Sequence, residues 1–192
     1  MRINWWKTTL GEEEIERVAE SIRNENISQG PVTAEFEELI GKYLEIDHVV
    51  ALSSGSTALL AALIALGVKS GDEVIMPNRT WIATAYAVHM LGATVVLVDV
   101  EADRPIINAS LIKQKITSRT KVIVPVHLNG RSADMQKINE LAKKFKIAVV
   151  EDAAQAISSR NSEGFLGTQS EIGCFSLSIA KTIGTGQGGF AV

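Results

Sequence analysis

One cysteine, Cys174, is all the thiol chemistry this chain has. That rules out an intramolecular disulfide and a cysteine-rich zinc site. The three histidines, His48, His89 and His127, show no metal-ligand spacing. Positive charge is not in excess: 19 Lys and Arg stand against 22 Asp and Glu, for a net charge of −3. With no basic stripe and no aromatic residues interleaved with basic ones, nothing points to a nucleic-acid partner. Long apolar runs are missing too. The longest are broken by Gly, Lys or His and are too short to span a bilayer. The opening Met1-Arg-Ile-Asn-Trp-Trp lacks the apolar core of a signal peptide. Internal repeats and low-complexity linkers are also absent from the sequence. The expectation is a cytoplasmic protein.

What is present suits a packed α/β layer. The 192 residues are 46% apolar, enough for one domain (1–192) with a sizeable core. Short Val/Ile/Leu runs predict strands at 48–52, 73–76, 94–98, 121–126, 148–151, 174–178 and 189–192. Runs of this kind are buried on both faces, as in a mostly parallel sheet. Apolar residues at helical spacing predict helices at 12–24, 57–66, 82–90, 110–116 and 133–145. Another helix, capped by Thr33 after a turn at 27–31, should present Phe36, Leu39, Ile40 and Tyr43 to the core. Strands alternating with helices give an α/β fold with helices flanking the sheet. The polar, glycine-containing stretch 161–170 reads as the most mobile loop.

Several strand ends carry residues with chemical potential. Ser53-Ser54-Gly55-Ser56-Thr57 lies between a strand and a helix. Free N–H groups and the helix dipole suit a phosphate there; Gly55 allows close approach, and the Ser56 and Thr57 hydroxyls can donate. The same residues also make an ordinary helix cap. Trp81 follows another strand and could stack on a flat ligand or simply pack. Asp152 and Gln155 end the most hydrophobic late strand, where open α/β sheets bind ligands. A carboxylate beside Ala153 and Ala154 is costly to bury unpartnered. Its partner could be a pyridinium N–H, a basic side chain, or a turn backbone. His127, after another strand, could approach the site, but reads first as a structural histidine bonded to loop backbone.

Lys181 completes the pattern. It follows the Cys174-Phe-Ser-Leu-Ser178 run and leads into Gly184-Thr-Gly-Gln-Gly-Gly189. The glycines spell G-x-G-x-x-G, but no helix or acidic partner can follow in the three residues that remain, so a turn feeding a strand fits better. A carboxylate at one strand end and a lysine after a later strand are what pyridoxal 5'-phosphate (PLP) requires. The lysine forms an imine with its aldehyde, and the carboxylate keeps the pyridine nitrogen protonated.

The residues resemble the DegT/DnrJ-type sugar-nucleotide aminotransferases, which are fold type I PLP enzymes. The matching pieces are Ile27-Ser-Gln-Gly-Pro31, Ser54-Gly-Ser-Thr-Ala-Leu59, Gly71-Asp-Glu-Val74, Thr80-Trp-Ile-Ala-Thr84, Pro125-Val-His-Leu128, Glu151-Asp-Ala-Ala-Gln-Ala156, Phe175-Ser176 with Lys181, and Gly188-Gly189. The resemblance implies the PLP-binding large domain of such an enzyme, with the C-terminal small domain absent. It implies that Lys181 is the imine-forming lysine, Asp152 pairs with the ring nitrogen, and Gln155 approaches the ring hydroxyl. Trp81 would stack on the ring, and Ser56, Thr57 and Ser176 would contact the phosphate. The resemblance implies two substrates, an amino acid, commonly glutamate in this family, and a keto-sugar nucleotide. A second copy or a C-terminal partner chain is expected as well. Related sugar dehydratases carry histidine in place of the lysine, so Lys181 favours amino transfer. Ile157 stands where many members have histidine.

Overall fold

The computed structural model describes residues 6–192; residues 1–5, read above for leader character, lie outside it. Two helices come first, α1 (Glu12–Arg23) and α2 (Pro31–Leu44). Then follow β1 (Val50–Leu52), α3 (Gly55–Ala65), β2 (Glu73–Pro77), α4 (Ala83–Met90) and β3 (Thr94–Val98). Next are α5 (Ala109–Ile112), β4 (Thr120–Ile123), α6 (Met135–Phe145) and β5 (Ala148–Asp152). A small hairpin, β6 (Arg160–Asn161) with β7 (Gly164–Phe165), precedes β8 (Ile172–Ser176) and β9 (Gly189–Ala191).

Seven strands form one sheet in the order β1-β9-β8-β5-β4-β2-β3. Pairs β2–β3, β2–β4, β4–β5 and β5–β8 are parallel, while β9 is antiparallel to both β8 and β1. Only β9 runs against the rest. The sheet is therefore mostly parallel, as its Val- and Ile-rich strands require. Alternation along each strand divides the core in two. Val74, Met76, Val122, Val150 and Cys174 face Ala58, Leu59, Ala62 and Leu63 of α3 and Ala87 and Val88 of α4. Ile75, Ile123 and Val149 face the other way, onto Met135, Ile138 and Ala142 of α6. Those three α6 residues share one helical face. Beside them, Ile40 and Leu44 of α2 meet Phe175 and Phe190, whose rings stack 4.6 Å apart. Burying each large aliphatic side chain stabilises the fold by about 1.5–3 kcal/mol. Ile123→Ala, at a site with no exposure, would cost about 2–5 kcal/mol.

Four expectations need correction. Thr33 does not cap α2. The helix starts at Pro31 with Gly30 before it, because proline's fixed φ suits the first helical position and its missing N–H is no loss there. On that helix, Leu39 and Tyr43 are exposed and only Ile40 and Leu44 are buried, although Tyr43 reaches the Phe165 ring at 5.2 Å. The short helix expected at 110–116 splits into α5 and a 3-10 turn, Lys113–Lys115.

The fourth is the 161–170 stretch, which is not a loose loop. It makes the β6–β7 hairpin and buries Phe165 and Leu166. Its Gly167 packs so tightly on Phe175 and Ala153 that a Cβ would collide with both. The Asn161 and Gln169 side chains bond each other, while the Gly167 and Gln169 amides and the Ser170 hydroxyl reach a buried carboxylate, described below. Among the described residues no helix is long and apolar enough to cross a membrane.

Candidate active site

Strands β1, β2, β5 and β8 point the same way, so the residues following them gather at one edge of the sheet. That edge receives Ser54–Thr57, Trp81, Asp152, Ser176 and Lys181.

The first group is set by the start of α3. Ser54 caps the helix: its Oγ accepts the Thr57 N–H at 3.1 Å, and Thr57 Oγ1 accepts the Ser54 N–H at 2.9 Å. The Thr57 hydroxyl also lies 2.7 Å from the Ser54 carbonyl, to which it donates. The cap reading therefore holds for Ser54 and Thr57, and Thr57 shapes the turn with the hydroxyl expected to meet a phosphate. Ala58 N–H returns to Ser54 O, which leaves the Gly55 and Ser56 amides as the open donors of the first turn. Ser56 is exposed, so its hydroxyl stands beside them. Gly55 is buried against Ser176, and a Cβ on Gly189 of β9 would collide with Ser54 and the Gly55 nitrogen. Both glycines are needed for this close approach of three backbones.

Asp152 closes β5 and is only 5% exposed. Each carboxylate oxygen has one donor: Ala154 N–H reaches Oδ1 at 3.1 Å and Thr84 Oγ1 reaches Oδ2 at 2.7 Å. A carboxylate has about four lone-pair positions, so acceptor capacity remains. Burial pushes the Asp152 pKa up; the Thr84 and Ala154 hydrogen bonds and the positive charge of Lys181 oppose that. Lys181 is half-buried. Burial holds its ammonium pKa below the usual lysine range, against the pull of the Asp152 charge. A lowered pKa makes the free amine, the form that attacks a carbonyl, easier to reach. The lysine backbone is fixed by its own N–H to the Ser178 carbonyl at 2.8 Å.

Gln155 lies beside Asp152, and its Oε1 accepts the Asn129 N–H at 3.0 Å. With the oxygen so engaged, the amide NH2 is left as a donor for a ligand oxygen. Asn129 and Gly130 both take the left-handed conformation, φ 55° and 74°, which turns the Asn129 amide toward Gln155. Trp81 is 68% exposed, an aromatic surface presented at the sheet edge rather than a core side chain. Ser176 Oγ sits at the end of β8, 3.4 Å from the Ser178 nitrogen. Two open surface grooves lie elsewhere, one along Glu37, Lys42 and Asp47 and the other along Ala142, Lys146 and Glu171.

Three residues that sequence reasoning did not single out support this arrangement. Glu151 is fully buried on the sheet face opposite Asp152 and accepts from Gly167 N–H (2.8 Å), Gln169 N–H (2.7 Å), Ser170 Oγ (3.0 Å) and His127 Nε2 (2.8 Å). His127 Nδ1 accepts the Ala133 N–H at 3.2 Å, so its hydrogen is on Nε2, facing Glu151. That bears out a structural histidine bonded to loop backbone and adds a carboxylate partner. Thr84 and Asn129 are the other two. The signal for Glu151 was available: adjacent residues on a strand point to opposite faces, so Val149-Val150-Glu151-Asp152 must bury at least one charge. Thr84 and Asn129 act across 68 and 26 positions of sequence, and no local pattern marks them.

The model of the DegT/DnrJ/EryC1/StrS aminotransferase family matches residues 8–192. Over 183 residues the chain is 39% identical to the UDP-4-amino-4-deoxy-L-arabinose–oxoglutarate aminotransferase of Shewanella sediminis, covering 95% of this chain and 47% of that protein. Spr1654 from Streptococcus pneumoniae, solved in its PLP form, superposes with a TM-score of 0.97 at 31% identity, over 100% of this chain and 53% of that one. The GDP-4-keto-6-deoxy-D-mannose-3-dehydratase of Escherichia coli, solved with hydrated PLP, gives a TM-score of 0.91 at 27% identity, over 98% of this chain and 50% of that one. The chain spans about half the length of the curated relatives it matches.

Proposed function

This chain belongs to the DegT/DnrJ/EryC1/StrS aminotransferase family, and on that footing we propose that it forms the cofactor-holding half of a PLP-dependent sugar-nucleotide aminotransferase. The reaction would move an amino group from an amino acid to a keto-sugar nucleotide. Glutamate is the donor of choice, since oxoglutarate, named in the Shewanella relative, is the keto acid that glutamate becomes. The observation that carries the reading is the buried Asp152 carboxylate with acceptor capacity left, at the sheet edge that also receives the half-buried Lys181. The fold alone does not decide the chemistry, because the dehydratase shares it. Lys181 is what favours amino transfer.

The residues present fit PLP. When bound, the cofactor supplies an aldehyde for covalent attachment and a ring that, once protonated at nitrogen, accepts electrons from the reacting carbon. Lys181 Nζ would hold it and would then be the group placed to take and return a proton. Asp152 would keep the ring nitrogen protonated. Trp81 would cover one ring face. The Gln155 amide would donate to the ring oxygen. The Gly55 and Ser56 amides, with the Ser56 and Ser176 hydroxyls, would take the phosphate at the positive end of α3, in a turn that Thr57 shapes.

Two apolar faces belong to the same reading. Ile15, Val18 and Ile22 of α1 are exposed, as are Trp81, Ile82, Tyr86 and Met90 at α4. Exposed apolar faces of this kind favour association, with a second copy or with a C-terminal partner chain. The reaction would run in the cytoplasm, within one domain, 1–192, of a larger assembly. The test is spectroscopic. Chain mixed with PLP should develop the visible absorbance of a lysine-bound cofactor, and glutamate should discharge it in the assembled enzyme. Absence of that band with excess PLP would overturn the reading.

A further inference from the structure

Thr84 lies on α4, is 2% exposed, and is assigned no contact with the cofactor above. Its hydroxyl has one hydrogen and three oxygen neighbours: Asp152 Oδ2 at 2.7 Å, Thr80 Oγ1 at 3.1 Å and the Trp81 carbonyl at 3.2 Å. The charged and nearest acceptor is Asp152, so that is where the hydrogen goes. Thr80 Oγ1 can then donate to Thr84 Oγ1. The Thr84 backbone N–H returns to the Trp81 carbonyl at 3.3 Å. One buried side chain thus binds the carboxylate on β5 and the turn that carries Trp81.

We propose that Thr84 is a positioning residue for the cofactor site: its hydroxyl aims the Asp152 carboxylate and locks it to the Thr80–Trp81 turn, so that ring charge and ring stacking are set by the same contact. The inference rests on the PLP reading above. Hydroxyl removal leaves Asp152 Oδ2 without its donor in a buried place, which favours the protonated carboxyl and so weakens the hold on a pyridinium N–H. The other groups that bear on Asp152 are Lys181, whose charge lowers its pKa, the Ala154 amide on its own segment, and His127, Glu151 and Cys174 close by. None of them replaces a donor to Oδ2.

The test compares Thr84→Val, which keeps the branched shape, with Thr84→Ser, which keeps the hydroxyl. The first readout needs no cofactor: pH titration of the Asp152 side-chain carbon in 13C-aspartate-labelled protein, identified by its loss in Asp152→Asn. Asp152 should protonate at higher pH in Thr84→Val than in the wild type, and Thr84→Ser should return to the wild-type curve. The second is PLP affinity from visible absorbance. Loss of a hydrogen bond to a charge corresponds to roughly a tenfold or greater change in an equilibrium, so Thr84→Val should bind PLP about tenfold more weakly or worse, and Thr84→Ser close to wild type. Identical Asp152 titration in wild type and Thr84→Val overturns the inference, as does equal weakening by both variants. A wild-type chain that takes up no PLP overturns the functional reading instead, and the Asp152 titration still decides the contact.

Discussion

Gly55 and Ser176 meet so closely that a Cβ on Gly55 would lie 2.7 Å from Ser176 Cβ and 3.2 Å from its Cα. Gly55→Ala must therefore push the first turn of α3 away from the end of β8. Overpacking of this kind costs about 1–3 kcal/mol, which a denaturant melt would read. The same shift displaces the open amides from a phosphate. The variant should lose affinity for PLP while its affinity for pyridoxal, which has no phosphate, barely changes. An unaltered melt and an unaltered preference for PLP would show that the contact is slack.

Asp152→Asn should make the cofactor-free chain more stable at neutral pH. Burial, the largest influence, raises the Asp152 pKa, so the folded carboxyl keeps its proton to higher pH than the unfolded one. Stability from this group is present at low pH and is lost as pH rises through the folded pKa. The advantage of asparagine should accordingly fade as the solution is acidified. In a cofactor-loaded, active assembly the same change should lower turnover by at least about a hundredfold, since an uncharged amide cannot hold the ring nitrogen protonated. Wild-type turnover in that variant would make Asp152 a structural residue.

Much of this arrangement was legible in the sequence, for physical reasons that differ by element. Val149-Val150 and Ile75-Met76 are continuous apolar pairs, and only a sheet covered on both faces hides both members. Ser54 and Gly55 mark the start of α3 by local capping chemistry. The start of α2 was misplaced because Thr33 looks like a cap while Pro31 governs. The 161–170 hairpin was hidden because its Gly167 and Gln169 amides and Ser170 hydroxyl serve Glu151, which is distant in sequence. Thr84 and Asn129 were invisible for the same reason: their partners arrive only when the sheet forms.

Glu151→Gln places an amide donor among four hydrogen-bond donors. At least one buried donor is left unmatched, at about 1–3 kcal/mol or more because a charge is also lost. Hydrogen exchange should then quicken at the Gly167 and Gln169 amides while β4 and β5 stay protected. Uniform protection across all of these segments would contradict the clamp.

Cys174 should be inert in the native protein. It is fully buried, and burial, reinforced by the Asp152 and Glu151 charges, pushes its thiol pKa far up. The thiolate is the reactive form, so little is available at neutral pH. A thiol reagent should label Cys174 only after denaturation. Rapid native labelling would mean that β8 opens readily.

Cofactor attachment would depend on Lys181. Half-buried, with its ammonium pKa lowered by that burial, it is the amine proposed to hold the cofactor. The direct measurement is borohydride reduction of the chain loaded with PLP, followed by peptide mass mapping. The pyridoxyl group should appear on Lys181 and vanish in Lys181→Ala. Label on a different lysine, or none at all in protein shown to bind PLP, would contradict the assignment.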